Sequence, residues 1–90
     1  MKLCAYKEIN CRKLDGCYLA YSNLSSETIS LNYFSYCTLT SLIAGSISFS
    51  DLMKLQKQYA KELNYDELFQ VLEKTINELV VRGFIYQLPE

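Results

Sequence analysis

Leu31-Asn32-Tyr33-Phe34-Ser35-Tyr36-Cys37-Thr38-Leu39-Thr40-Ser41-Leu42-Ile43-Ala44-Gly45 opens the stretch that decides the fold of this chain. The stretch continues through Ser48-Phe49-Ser50-Asp51 and Asn64-Tyr65-Asp66-Glu67 to Arg82-Gly83-Phe84-Ile85-Tyr86. Each quoted piece marks the start or end of an element. Asn32 stands where an N-cap belongs, and Gly45 predicts a helix end in the left-handed conformation. Tyr36, Leu39 and Leu42-Ile43 share a helical face, although the aromatic and β-branched content of this segment leans toward strand. Ser48 and Asp51 have the spacing of a capping box, as do Asn64 and Glu67. Phe49, Leu52, Met53, Leu55, Tyr59, Ala60 and Leu63 recur at helical spacing. Leu68, Leu72, Ile76 and Leu79 form the apolar stripe of a third helix, widened by Val71, Thr75 and Val80. Leu63 and Leu68 bracket its cap as a hydrophobic staple. Gly83 stops this helix, and Phe84-Ile85-Tyr86 reads as a short closing strand.

Working back toward the N-terminus, the period changes from helical to alternating. Ala5 to Leu14 suits an edge strand, and Asp15-Gly16 is a hairpin turn. Cys17-Tyr18-Leu19-Ala20-Tyr21 reads as a second strand, and Ser22-Asn23-Leu24-Ser25-Ser26 as a turn. In Glu27-Thr28-Ile29-Ser30-Leu31 the alternation points Ile29 and Leu31 inward. The expected fold is α+β and winged helix-turn-helix-like. Its N-terminal three-stranded antiparallel sheet spans residues 5–31. Helices follow over 33–44, 49–63 and 65–82, then the terminal β piece, all in a single domain over 1–90.

Composition limits what such a domain does. Half of the 90 residues are apolar, with three glycines and one proline, as in a folded globular chain. The net charge of −1 is poor material for gripping a phosphate backbone. No apolar run is long enough to span a bilayer, and the N-terminus lacks the apolar core of a secretory signal. A cytoplasmic protein without a membrane partner is expected. Cys4, Cys11, Cys17 and Cys37 form no Cys-x-x-Cys pair, and histidine is absent. Reduced cysteines serving as small apolar residues are therefore expected, and no metal or cofactor.

Catalysis requires an activated nucleophile, an acid–base pair or a metal. The commonest general base is missing, and Gly16, Gly45 and Gly83 stand too far apart for a phosphate loop. Asp66-Glu67 lies in a first helical turn, where carboxylates complement the helix dipole. A non-catalytic role is expected.

A winged helix commonly binds a polymer, either nucleic acid or an extended peptide. For DNA, the third helix would enter the major groove. Its polar residues Asp66, Glu67, Glu73 and Glu78 outnumber Lys74 and Arg82, and carboxylates repel phosphate. Lys54, Lys57 and Lys61 on the second helix form a modest basic strip. A DNA-binding transcription regulator is the alternative reading, and no nucleic-acid partner is expected. For a peptide, an open sheet edge takes in an extended segment as an added strand, with a neighbouring helix supplying side-chain pockets. Glu27, Thr28, Ile29, Ser30 and Leu31 are the candidate edge. Val71, Lys74, Thr75 and Glu78 are the candidate wall. A homodimer paired through the same sheet edge is a further alternative.

The ordered marks Leu14-Asp15-Gly16, Ile29-Ser30-Leu31-Asn32, Leu42-Ile43-Ala44-Gly45, Ser48-Phe49-Ser50-Asp51-Leu52 and Leu79-Val80-Val81-Arg82-Gly83-Phe84-Ile85 resemble those of the PqqD-like proteins. These are the recognition elements of ribosomally made, post-translationally modified peptide (RiPP) pathways. The resemblance extends from about Tyr6 to Tyr86. The chain departs from the family in its first helix, which carries Tyr33, Phe34 and Tyr36 in place of small residues. The resemblance implies a peptide chaperone of natural product biosynthesis. Its partners would be the leader of a precursor peptide and a modifying enzyme such as a radical SAM enzyme, a cyclodehydratase or a leader protease. It also implies that the leader pairs antiparallel to Glu27–Leu31 and lies against Val71, Lys74, Thr75 and Glu78, with Leu68 at one end.

Overall fold

The computed structural model describes residues 2–89. Four strands open the chain: β1 (Lys2–Ala5), β2 (Ile9–Leu14), β3 (Cys17–Ser22) and β4 (Glu27–Leu31). Then come α1 (Tyr33–Ala44), the two-residue strand β5 (Ile47–Ser48), α2 (Phe49–Tyr59), α3 (Tyr65–Val81) and β6 (Ile85–Leu88). The α+β arrangement read from the sequence is present: a three-stranded antiparallel sheet, three helices and a terminal strand. That sheet has the order β2-β3-β4, and a second one, β5-β1-β6, stands beside it.

The second sheet corrects the expected strand over 5–14. Tyr6 to Glu8 make a turn there, in which the amide of Ile9 donates to the carbonyl of Tyr6 (3.1 Å). Before the turn, β1 pairs antiparallel with β6, Leu3 opposite Gln87 and Ala5 opposite Ile85. The cause is burial. Leu3 and Cys4 are adjacent, and both are lost from solvent, which a strand with one wet face does not allow. After the turn, β2 joins β3 through Asp15-Gly16, with Leu14 opposite Cys17 and Gly16 at φ 71°. Burial of Cys11 on β2 pushes its thiol up to about 11, so it stays protonated at neutral pH. All four cysteines are free.

The helix caps follow the sequence, with two corrections. Asn64 and Glu67 form the full reciprocal capping box of α3, at 2.8 and 3.0 Å. Asn32 accepts from the amide of Ser35 at 2.8 Å. At α2 only half the box exists: Ser48 accepts from the amide of Asp51, whose carboxylate turns to Lys54 instead. Gly45 ends α1 in an extended conformation (φ 170°, ψ 159°), not a left-handed one, because the chain runs straight into β5. Gly83 does take the left-handed turn at φ 78°. The helix expected over 49–63 ends at Tyr59. Residues 60–63 are needed to reverse the chain, and Lys57 Nζ donates to the carbonyls of Lys61 and Leu63 in that reversal.

The helices and the β1 sheet close on one core. Leu39, Leu52, Leu68, Leu72 and Phe84 are fully buried in it with Leu3. The expected α3 stripe Leu68, Leu72, Ile76 and Leu79 is buried throughout. Tyr33 and Tyr36 of α1 lie against Tyr18 of β3, with ring centroids 5.5 and 4.7 Å away, and fasten α1 to the sheet that leads into it. No helix among the described residues is long and apolar enough to cross a membrane.

Candidate functional site

β3 pairs with β4 from Tyr18–Leu31 to Ser22–Glu27, and β4 has no partner on its other side among the described residues. Alternation places Glu27, Ile29 and Leu31 on one face of the strand and Thr28 and Ser30 on the other. The first face looks toward the C-terminal half of α3. There Thr75, Glu78, Leu79 and Arg82 recur at intervals of three and four residues, as one helical face. Between strand and helix lies a groove of about 410 Å³. Ile29, Ser30, Leu31, Asn32 and Ser35 line one side, and Thr75, Glu78, Leu79 and Arg82 the other. Leu79 and Thr75 are buried and form the floor, while Ile29 and Leu31 are half-buried.

One end of the groove is bridged. Arg82 Nη1 lies 3.6 Å from Glu27 Oε1, joining the end of α3 to the first residue of β4. Both side chains are about half exposed, so the pair is hydrated and weak. At the other end, the first turn of α1 stands between the groove and a second hollow. Val71, one turn before Thr75 on α3, lines that hollow together with Tyr33, Phe34 and Cys37. Cys37 beside Tyr33 holds the phenol above its ordinary range, so the ring is neutral at physiological pH.

The candidate residues divide accordingly. Ile29, Ser30, Leu31, Thr75 and Glu78 meet in the groove. Glu27 reaches its end through Arg82. Thr28 belongs to the opposite face of the sheet, in a hollow with Asn10, Arg12 and Tyr21. Val71 is exposed on the neighbouring hollow, Leu68 is fully buried in the core, and Lys74 is exposed and lines neither. Lys74 sits about 100° around the helix from Thr75. Sequence reasoning did not include Asn32, Ser35, Leu79 or Arg82. The signal for the last two was present: Thr75, Glu78, Leu79 and Arg82 keep one helical period, displaced about one turn toward the C-terminus from the expected wall of Val71, Lys74, Thr75 and Glu78.

The groove is suited to binding. It offers the unpaired main-chain groups of β4, apolar contact from Ile29, Leu31 and Leu79, and charges at Glu78 and Arg82. No family model matches the chain, and no curated protein does. Among solved structures, it is similar to a lasso peptide synthetase B1 complexed with the leader peptide. The TM-score is 0.75 at 16% identity, over 94% of this chain and 98% of that one. The likeness at that identity is one of fold: this chain shares the backbone architecture of that protein.

Proposed function

We propose that this protein is a non-catalytic adaptor that binds the leader segment of a ribosomally made precursor peptide. The leader adds as a strand to β4 and lies against α3. Main-chain bonding supplies affinity with little demand on sequence, and the groove side chains select among leaders. The bound precursor is presented to a modifying enzyme, for which a radical SAM enzyme, a cyclodehydratase and a leader protease are the candidate classes. Holding substrate beside the enzyme raises its local concentration and needs no chemistry in this domain. The fold shared with a protein described with its leader peptide supports the reading, as does the resemblance to PqqD-like recognition elements.

The observation that carries it is the free margin of β4 beside a groove floored by Leu79 and Thr75. Unpaired strand edges are ordinarily covered, shortened or charged, and β4 is left open across five residues. Nuclear magnetic resonance titration tests it, with precursor leaders encoded near this gene as ligands. Binding should move the backbone amides of Ile29 to Leu31 and the Thr75–Arg82 face together. Leaders that bind while those amides stay still would exclude strand addition at this edge. The DNA-regulator reading predicts a duplex complex that weakens steeply with salt. The carboxylates of α3 argue against it, and a mobility-shift assay at low salt should show no complex.

A further inference from the structure

The hollow beyond the first turn of α1 is backed by a buried side chain with an unsatisfied acceptor. Gln56 of α2 lines it with 1% of its surface exposed. Its Nε2 donates to Thr38 Oγ1 at 2.8 Å, and Thr38 Oγ1 donates to the carbonyl of Phe34 at 2.9 Å. A hydroxyl has one proton, and Phe34 takes it, so Thr38 can only accept from Gln56. That fixes the orientation of the amide and leaves Oε1 as the atom without a partner. Buried polar atoms in folded proteins are nearly always bonded, so an orphaned acceptor at a hollow is a position for a donor.

The rest of the lining indicates which donor. Glu62 brings a carboxylate, and Tyr33 and Tyr59 bring aromatic rings. Ala60 lies just past the last residue of α2, where the helix dipole is negative. Leu63 and Val71 are aliphatic, and no cationic side chain is among the lining residues. Lys57, in the same corner, is bonded to the carbonyls of Lys61 and Leu63. The volume of about 270 Å³ lies below that of ordinary small-molecule sites and suits one long side chain.

We infer that this hollow is a subsite for a lysine or arginine side chain of the bound peptide. The stem packs on Leu63 and Val71. The head donates to Gln56 Oε1 and lies within the field of Glu62 and the tyrosine rings. A neutral donor would satisfy Gln56 and leave the carboxylate unused. Tyr33 and Tyr59 are more than half exposed, so the mouth is wet and the head keeps part of its hydration. The inference rests on strand addition at β4 for the route of the peptide. A segment antiparallel to β4 runs with its N-terminal side past Leu31 and over Asn32 to Tyr33 and Val71. The basic residue therefore lies on the N-terminal side of the paired stretch.

The test uses n-butylammonium as probe and n-butanol as its uncharged control, followed through the Gln56 side-chain amide and the Val71 methyl groups. Butylammonium should bind at least about three-fold more tightly than butanol. Glu62→Gln should erase that preference in a protein whose amide spectrum is otherwise unchanged. Gln56→Leu, checked for folding in the same way, should weaken both probes. Equal affinities, or no response at Gln56 and Val71, would overturn the inference. Leader titration separates the two proposals. A leader that moves Ile29–Leu31 while butylammonium leaves Gln56 unmoved removes the subsite alone. A butylammonium response with no leader effect on β4 keeps the cation preference and removes the peptide route.

Discussion

β1 and β4 are both short strands near the N-terminus, and they end in opposite circumstances. β1 is central in its sheet, flanked by β5 and β6, with Leu3 and Cys4 buried. β4 has β3 on one side and a groove on the other. The first strand spends its hydrogen-bonding capacity inside the fold. The second keeps half of its capacity for something outside the chain. A domain of 90 residues is small for its own stability, and an open edge is tolerable only where other elements close the core. The second sheet performs that closure, drawing β1, β6 and the α1–α2 connection together.

The largest expected effect lies on the closed side. Leu3→Ala removes a fully buried side chain from the central strand and should cost about 2–5 kcal/mol, read as a lower urea midpoint. At temperatures where that variant remains folded, leader affinity should be close to wild type. A large affinity loss in the folded variant would mean that the two sheets do not act separately.

The open side should respond in the reverse sense. Adjacent residues of an edge strand turn their amides alternately to the neighbour and to solvent. Of Ile29→Pro and Ser30→Pro, one removes a ladder donor to β3 and should lower stability. The other removes an outward donor and should weaken leader binding about ten-fold or more while far-ultraviolet dichroism stays near native. Two proline variants that both bind normally would break the comparison. Thr28→Pro shares the backbone parity of Ser30→Pro and should fall in the same class.

Arg82→Ala sharpens the description of the groove. The Glu27–Arg82 pair is half exposed, so its loss should change stability by less than about 1 kcal/mol. Leader affinity should fall severalfold, with a shallower salt dependence. Lys74→Glu, on a neighbouring face of the same helix, should change affinity less than Arg82→Ala.

The smallest effect concerns β2, the other outer strand of the open sheet. The Cys11 thiol is raised from 9.0 to about 11 by burial, so folding favours its protonated form. Unfolded chains lose this proton first as pH rises. The stability that Cys11 contributes is therefore complete below pH 9 and is lost as pH climbs through about 11. Cys11→Ala should flatten the fall in stability across that interval. Cys17, which is exposed, should react with a thiol reagent at pH 8 well before Cys11.

The sequence by itself determined most of what short-range chemistry controls, with the cap at Gly45 and the second half of the box at Ser48 as the exceptions. Asn32, Ser48 and Asn64 start their helices because a side-chain oxygen within three residues meets a free amide. Gly83 ends α3 because a left-handed residue is needed there, and Leu68, Leu72, Ile76 and Leu79 declare its buried face through period alone. The tertiary structure decided what depends on partners distant in sequence. Ala5 to Leu14 looks like one strand, yet Ala5 is the last residue of β1, which pairs with β6 some eighty residues on, and the open-sheet strand β2 begins only at Ile9. Helical spacing fits α2 as far as Leu63, yet reversal toward α3 needs residues 60–63. Thr75, Glu78 and Arg82 form the wall of the groove, and Lys74 does not, because packing of Leu72, Ile76 and Leu79 sets the rotation of the helix. That rotation, like the open margin of β4, is fixed only when the core closes, since a strand edge is free or covered according to where the rest of the chain goes.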